Sequence, residues 1–299
     1  MDNSRFYGIF SPVVCPCDDN DNFLPEIFEK QVERLFKAGV NGLYVCGGTG
    51  DAFNLRVPER KQAAEIAARL SQKYGRYSII HVGATHLRDS SELARHAADI
   101  GALGVSSIPP IGLEQSQIVE YYSEIAKESG LPVLVYHIPA VTHRNPSMEE
   151  LLQLLNIEGV AGLKMTDWNL FLLRRLILEK PRIIVYNGYD ELIPLGLLYG
   201  AKGSIGTWSN LFPEMYVRIY REMNGGSIEK AMDIQKAFVD FLHESWKYGV
   251  VEVFEELMRE FGYAGRCFRK PYSNLDRDTA KGIMPGLMKK IEVINGLIK

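Results

Sequence analysis

The sequence predicts a (β/α)₈ TIM barrel followed by a C-terminal helical extension. Eight short β-like runs alternate with seven helix-period patterns before about residue 206, and the helical segment that follows supplies part of the eighth unit. Several of the helical patterns end in glycine, and no convincing strand pattern follows about residue 210. Alternation of this kind implies parallel strands joined by right-handed crossovers. Eight units within about 200 residues fit a closed barrel better than an open doubly wound sheet, which stays as the alternative because periodicity does not report closure. The expected division is a catalytic barrel over residues 1–210, with helices over 211–299 that complete and extend it.

Each unit has its own local warrant. "YGIFSPVV" precedes "LPEIFEKQVERLFKAG", in which Ile27, Phe28, Val32, Leu35 and Phe36 recur at helical spacing. "GLYVC" precedes "VPERKQAAEIAARLSQ", whose Pro58 and Glu59 suit a first helical turn. "SIIHVG" leads to "SSELARHAADIG", "GVSSIP" to "SQIVEYYSEIAKES", and "PVLVYHI" to "SMEELLQLL". "VAGLKM" leads to "WNLFLLRRLILE", "RIIVYNG" to "DELIPLGLLYG", and "KGSIGT" is the last strand. The glycines of "KAGVNG", "DIGALG", "KESG" and "LYGAKG" stand where helices take a C-terminal cap. Beyond them, "FPEMYVRIYREM", "SIEKAMDIQKAFVDFLHESWK", "VEVFEELMREFG" and "RDTAKGIMPGLMKKIEVINGLI" all read as helices.

With 299 residues, 46% hydrophobic and 24% charged, the chain can bury a large core without disulfides or a structural metal. A formal charge of −3 gives no electrostatic reason to expect nucleic acid or an acidic membrane surface. Cys15, Cys17, Cys46 and Cys267 form no Cys-x-x-Cys pair and read as reduced thiols of a cytoplasmic protein. "MDNSRFYGIF" lacks the apolar stretch of a secretory signal, and no membrane-length apolar run occurs. His81, His86, His96, His137, His143 and His243 show no metal-ligand spacing, so no metal is expected.

In a barrel of this kind, functional groups gather at the C-terminal ends of the strands. The residues that break the apolar pattern fall there. "GGTGD", residues 47–51, follows the second strand; its backbone N–H groups and the Thr49 hydroxyl could cradle a small anion, or it could simply be a tight turn. It is neither a dinucleotide fingerprint nor a P-loop. Lys164 ends the sixth strand, where a long side chain either snorkels to water or serves as a nucleophile. A neutral amine in a dry pocket can attack a ketone and form a Schiff base, an electron sink for breaking a nearby C–C bond. Such an amine needs a proton shuttle, and Tyr136, at the end of the neighbouring fifth strand, can face it. "NGYDE", residues 187–191, brings two carboxylates after the seventh strand, either as helix N-terminal acids or as acceptors for the hydroxyls of a polyol.

The ordered set "GIFSPVV…GLYVCGGTGDAF…PER…YHIPA…GLKMTD…YNGYDE…GSIGTWSN" resembles the dihydrodipicolinate synthase/N-acetylneuraminate lyase family of Schiff-base aldolases, over nearly the whole chain. The resemblance implies 2-keto acid chemistry without metal or cofactor in a homotetramer, with Lys164 as the Schiff-base lysine and Tyr136 as the proton-transfer phenol. Thr49 and the "GGTG" backbone, including Gly48, correspond to the carboxylate cradle. Thr166 follows the lysine as in the N-acetylneuraminate lyases, and Gly188, Asp190, Glu191 and Thr207 match positions that hold the sugar's hydroxyls. The implied activity is cleavage of N-acetylneuraminate, a 2-keto sugar acid, to N-acetylmannosamine and pyruvate. Aldolase or dehydratase action on another 2-keto-3-deoxy sugar acid is the alternative. Ala140 and Val141 stand where the synthases carry an arginine for a second carboxylate, which argues against synthase activity. Intact Lys164 and Tyr136 argue against a non-catalytic binding protein. Four departures stand out: Gly48 for Ser or Thr, His137 for Asn, Asp51 for Glu, and Ile111–Gly112 where many members have a tyrosine.

Overall fold

The computed structural model describes residues 3–272 and 274–299. Eight parallel strands close in chain order, with the last hydrogen-bonded to the first. They are β1 (Gly8–Pro12), β2 (Gly42–Val45), β3 (Tyr77–His81), β4 (Gly104–Ser107), β5 (Val133–His137), β6 (Val160–Met165), β7 (Ile184–Asn187) and β8 (Gly203–Ser204). The sheet is therefore the closed barrel, not the open alternative. The helices between strands are α1 (Pro25–Ala38), α2 (Val57–Lys73), α3 (Leu87–Asp99), α4 (Gln115–Ser129), a short α5 (Pro139–Thr142), α6 (Met148–Leu155), α7 (Leu170–Glu179) and α8 (Ile193–Leu198). Then come α9 (Pro213–Asn224), α10 (Ile228–Trp246), α11 (Val250–Glu260) and α12 (Arg277–Leu297). Gly39 and Gly130 cap α1 and α4 in the left-handed conformation, at φ 99° and 59°, where a side chain would be strained.

Side chains alternate along each strand, so one set fills the barrel and the other packs on the helices. The interior holds Phe10, Tyr44, Ile79, Leu134, Tyr136, Ile184 and Tyr186. At its floor, the turn Ser4–Phe6 is tied in by Tyr186, whose hydroxyl donates to the Phe6 carbonyl. The outer set joins the helices in one larger cluster that continues into α9, α10, α11 and α12. Helix α9 packs on β1 and between α8 and α1, as the eighth helix of the ring, and α10 packs on α9.

One irregularity positions the chemistry. Between β5 and β6 the register shifts: Val133 pairs with Val160, but Leu134 pairs with Gly162, which leaves Ala161 as an extra residue. Without that shift, an unbroken register from Val133–Val160 would put Tyr136 opposite Leu163, which points out into the helix layer. With it, Tyr136 sits opposite Lys164 and both side chains point inward.

The segment between α11 and α12 returns to the barrel mouth. Cys17 and Arg266 exchange backbone hydrogen bonds of 2.9 Å in both directions. The guanidinium of Arg269 is buried, donating to the carbonyls of Asp21 at 3.1 Å and Cys15 at 3.3 Å. Among the described residues no helix is long and apolar enough to cross a membrane.

Candidate active site

At the mouth of the barrel, Lys164 Nζ donates a 2.8 Å hydrogen bond to the Tyr136 hydroxyl. The amine lies 4.0 Å from the Tyr136 ring centroid and 4.8 Å from that of Tyr44, and only 4% of the lysine is exposed. It does not snorkel. Tyr44 meets Tyr136 edge-on at 6.0 Å and is anchored through its hydroxyl to Ser106 Oγ at 2.9 Å. His81 also packs edge-on against Tyr136, at 6.2 Å, while its Nε2 accepts from the Ile108 N–H at 3.0 Å. Burial, with Arg60 and Lys164 adding to it, pushes the His81 pKa well below that of a free imidazole. Neutral His81 thus brings no second cation to the lysine.

The "GGTG" loop lies across the mouth. Thr49 Oγ1 and Thr207 Oγ1 are 2.7 Å apart, so two residues that the sequence separates widely share one hydrogen bond. The loop is pinned from behind: Asp51 Oδ2 accepts from the Arg269 N–H at 3.0 Å, and Asp51 Oδ1 accepts from Asn54 at 2.8 Å. Asp51 is nonetheless pushed up in pKa, because desolvation outweighs those bonds. Cys46 enters the loop at φ 55°, and a side chain added at Gly48 would meet nothing within 4 Å. Gly48→Ser is therefore expected to fold normally and to supply the hydroxyl that Gly48 lacks. Steady-state kinetics should give a KM about two- to tenfold lower for a 2-keto acid substrate, the value of one added hydrogen bond.

Thr166 and Glu191 each carry a buried oxygen without a partner, Thr166 Oγ1 and Glu191 Oε2. Buried polar atoms are rarely left unpaired in folded proteins, and a hydroxyl bound at either atom would satisfy it. A Cβ on Gly188 would fall 2.0 Å from Thr166 Oγ1, so only glycine fits there beside the threonine. Asp190 has a different position: its Oδ1 accepts from Tyr216, and the N–H groups of Thr207 and Trp208 bond its carboxylate. It braces the β7 loop against the β8 loop. Burial raises the pKa of Asp190 strongly and that of Glu191 as well.

The sequence singles out His137 but not its partner Asp167, nor Trp168, Tyr44 or His81 as site residues. His137 Nε2 and Asp167 Oδ2 are 2.8 Å apart, a bond that ties the end of β5 to the loop after β6 and holds the Asp167 pKa down. Trp168 stacks on Tyr189 with centroids 4.2 Å apart. Tyr44 and His81 looked like ordinary strand residues; their strand-end positions beside "CGG" and "VG" were the available signal. Among the described residues no cluster of His, Cys, Asp and Glu could hold a metal ion.

A closed (β/α)₈ barrel with a buried lysine–tyrosine pair at its mouth belongs to the class of barrels that can do amine chemistry on a carbonyl. The chain belongs to the dihydrodipicolinate synthetase family, whose model matches residues 5–290. It is 32% identical to an N-acetylneuraminate lyase of Rhizobium meliloti (strain 1021) over 276 residues, 91% of each chain. It is also similar to the crystal structure of N-acetylneuraminate lyase from Fusobacterium nucleatum complexed with pyruvate. That match has a TM-score of 0.89 and 25% identity, and covers 96% of this chain and 97% of the other. The crystal structure of CdNal from Clostridium difficile in complex with mannosamine gives 0.88 and 25%, with coverage of 95% and 98%. With that family membership and those relatives, the chain is an enzyme, a lyase.

Proposed function

We propose that this enzyme is a Schiff-base aldolase that cleaves N-acetylneuraminate to N-acetylmannosamine and pyruvate. The observation that carries the reading is the 2.8 Å bond between Lys164 Nζ and the Tyr136 hydroxyl, both buried in the barrel mouth. The amine adds to the C2 ketone and expels water to give a protonated imine. The Tyr136 phenol gives its proton to the departing hydroxyl in imine formation, and the resulting phenolate takes the proton of the C4 hydroxyl as the C3–C4 bond breaks, while the electron pair passes into the imine to leave an enamine. Protonation at C3 and hydrolysis release pyruvate and free the amine. The imine is the electron sink, so this scheme calls for no metal or external cofactor.

The substrate carboxylate would lie on the Thr49 loop, held by fixed dipoles rather than a net charge. The sugar hydroxyls would take Thr166 Oγ1, Glu191 Oε2 and the Gly188 backbone, with Thr207 at the junction of the two regions. Asp190, braced by Tyr216, would fix the backbone from which Glu191 projects. The working form in this proposal is cytoplasmic and homotetrameric, binds neither nucleic acid nor membrane, and its barrel unit runs through residue 210 with the helices of 211–299 completing it.

N-acetylneuraminate supplied alone, followed by borohydride and peptide mass spectrometry, should give a reduced pyruvyl group on Lys164. An adduct from added pyruvate but none from the sugar acid would move the substrate to another 2-keto-3-deoxy sugar acid. No adduct from either would overturn the Schiff-base reading.

Glu191 adds a pH test. Because burial raises its pKa, its carboxylate forms only at higher pH than an exposed glutamate's, and the ionised form accepts hydrogen bonds more strongly. KM for the sugar acid should fall as pH rises through that raised value. Glu191→Gln should flatten this limb of the KM profile, while trapping of pyruvate alone keeps its own pH dependence. A limb that survives the substitution would assign the titration elsewhere.

A further inference from the structure

Residues 166–168 divide three tasks among consecutive side chains. Thr166 keeps its unpaired hydroxyl buried at the mouth, and Asp167 holds His137. Trp168 does neither. It is 57% exposed, yet it lies flat on Tyr189, with ring centroids 4.2 Å apart and planes 19° from parallel. A tryptophan that adds little to the core but is fixed in orientation presents a rigid apolar platform. Tyr189 carries that platform to the site: its phenol is desolvated, and Glu191, Asp167 and Tyr136 lie near enough to raise its pKa further.

The strand order gives the platform a direction. β2 and β6 stand on opposite sides of an eight-strand closed barrel. A substrate whose carboxylate rests on the loop after β2, with C2 at Lys164, must run its remaining carbons toward the β6–β7 side. That side offers Thr166 Oγ1, Glu191 Oε2 and the Trp168–Tyr189 stack. Polar groups that fix orientation beside an aromatic face that takes C–H surface are what a carbohydrate subsite needs.

We propose that Trp168, braced by Tyr189, is a specificity-determining residue that stacks on the carbon chain of the sugar portion of the substrate. This rests on the reading of the pocket as a sugar-acid aldolase. In the mechanism Trp168 touches no reacting atom, so its contribution is one of binding.

The test compares the parent enzyme with Trp168→Ala and Trp168→Phe, using N-acetylneuraminate turnover and borohydride trapping of pyruvate, which has no sugar portion. Trp168→Ala should raise KM for the sugar acid about tenfold with kcat within about twofold, and Trp168→Phe should recover most of the loss. The pyruvate concentration that half-saturates trapping should not move. An unchanged KM in Trp168→Ala overturns the inference, as does a fall in kcat alone, a parallel shift in pyruvate trapping, or a changed oligomeric state by light scattering. A parent enzyme that traps pyruvate but does not turn over N-acetylneuraminate defeats the substrate reading, and with it this inference. Turnover by the parent with no effect in Trp168→Ala defeats the inference alone.

Discussion

Lys164→Ala is expected to abolish turnover, by at least about 10⁴-fold in kcat, while the barrel still folds. The size follows from the chemistry. Without the amine no imine forms, and the electrons of the C3–C4 bond have nowhere to go. A merely structural lysine would behave differently, since truncating it would change stability more than rate. The surroundings make the fold tolerant: Lys164 is enclosed by Tyr44 and Tyr136, so removing the amine leaves two aromatic rings and one phenol that water in the mouth can serve. Thermal unfolding of the variant should lie within a few degrees of the parent. Borohydride should leave no adduct at any residue. Residual turnover above about 1% of the parent value would sink the covalent mechanism.

Tyr136→Phe should lower kcat by about 10²–10⁴-fold, the usual value of a positioned acid–base group, without preventing the adduct. The ring would stay, because it packs edge-on against both Tyr44 and His81, and only the oxygen bonded to Lys164 Nζ would be lost. Imine formation with pyruvate should slow but still go to completion, and reduction should still label Lys164. Cleavage of the sugar acid should nearly stop. The two variants thus separate the nucleophile from the proton carrier. Equal loss of trapping in both would mean that Tyr136 serves only to hold the amine, and normal cleavage in Tyr136→Phe would remove it from the mechanism.

The fold was legible because barrels write themselves in repeats: eight strand-like runs, eight helices, and glycines such as Gly39 and Gly130 at helix ends. The lysine–tyrosine pair was legible because neighbouring strands bring their ends together. The register that makes the pair work was not. The shift of register at Ala161 decides whether Tyr136 meets Lys164 or Leu163, and in a strand apolar on both faces a bulge leaves no mark in the hydrophobic pattern. Bonds between distant loops were equally hidden. Thr49 and Thr207 were each suspected, but their 2.7 Å contact depends on closure of the barrel. Asp190 looked equivalent to Glu191 in "NGYDE", and only the approach of Tyr216 from α9 separates their positions. In the sequence Trp168 reads as part of a helix start, because exposure and stacking are properties of the folded surface.

The Arg269 anchor also bears on synthesis. The bond that pins the loop after β2 joins residues 218 positions apart, and Arg269 lies beyond α11. As the chain leaves the ribosome, all eight strands are made before that anchor exists. A nascent barrel can close, yet its front loop has no Arg269 behind Asp51 until the segment after α11 follows. Competence therefore waits on the segment that follows α11. For the same reason, a chain stopped after the eighth strand would be a container without a finished rim.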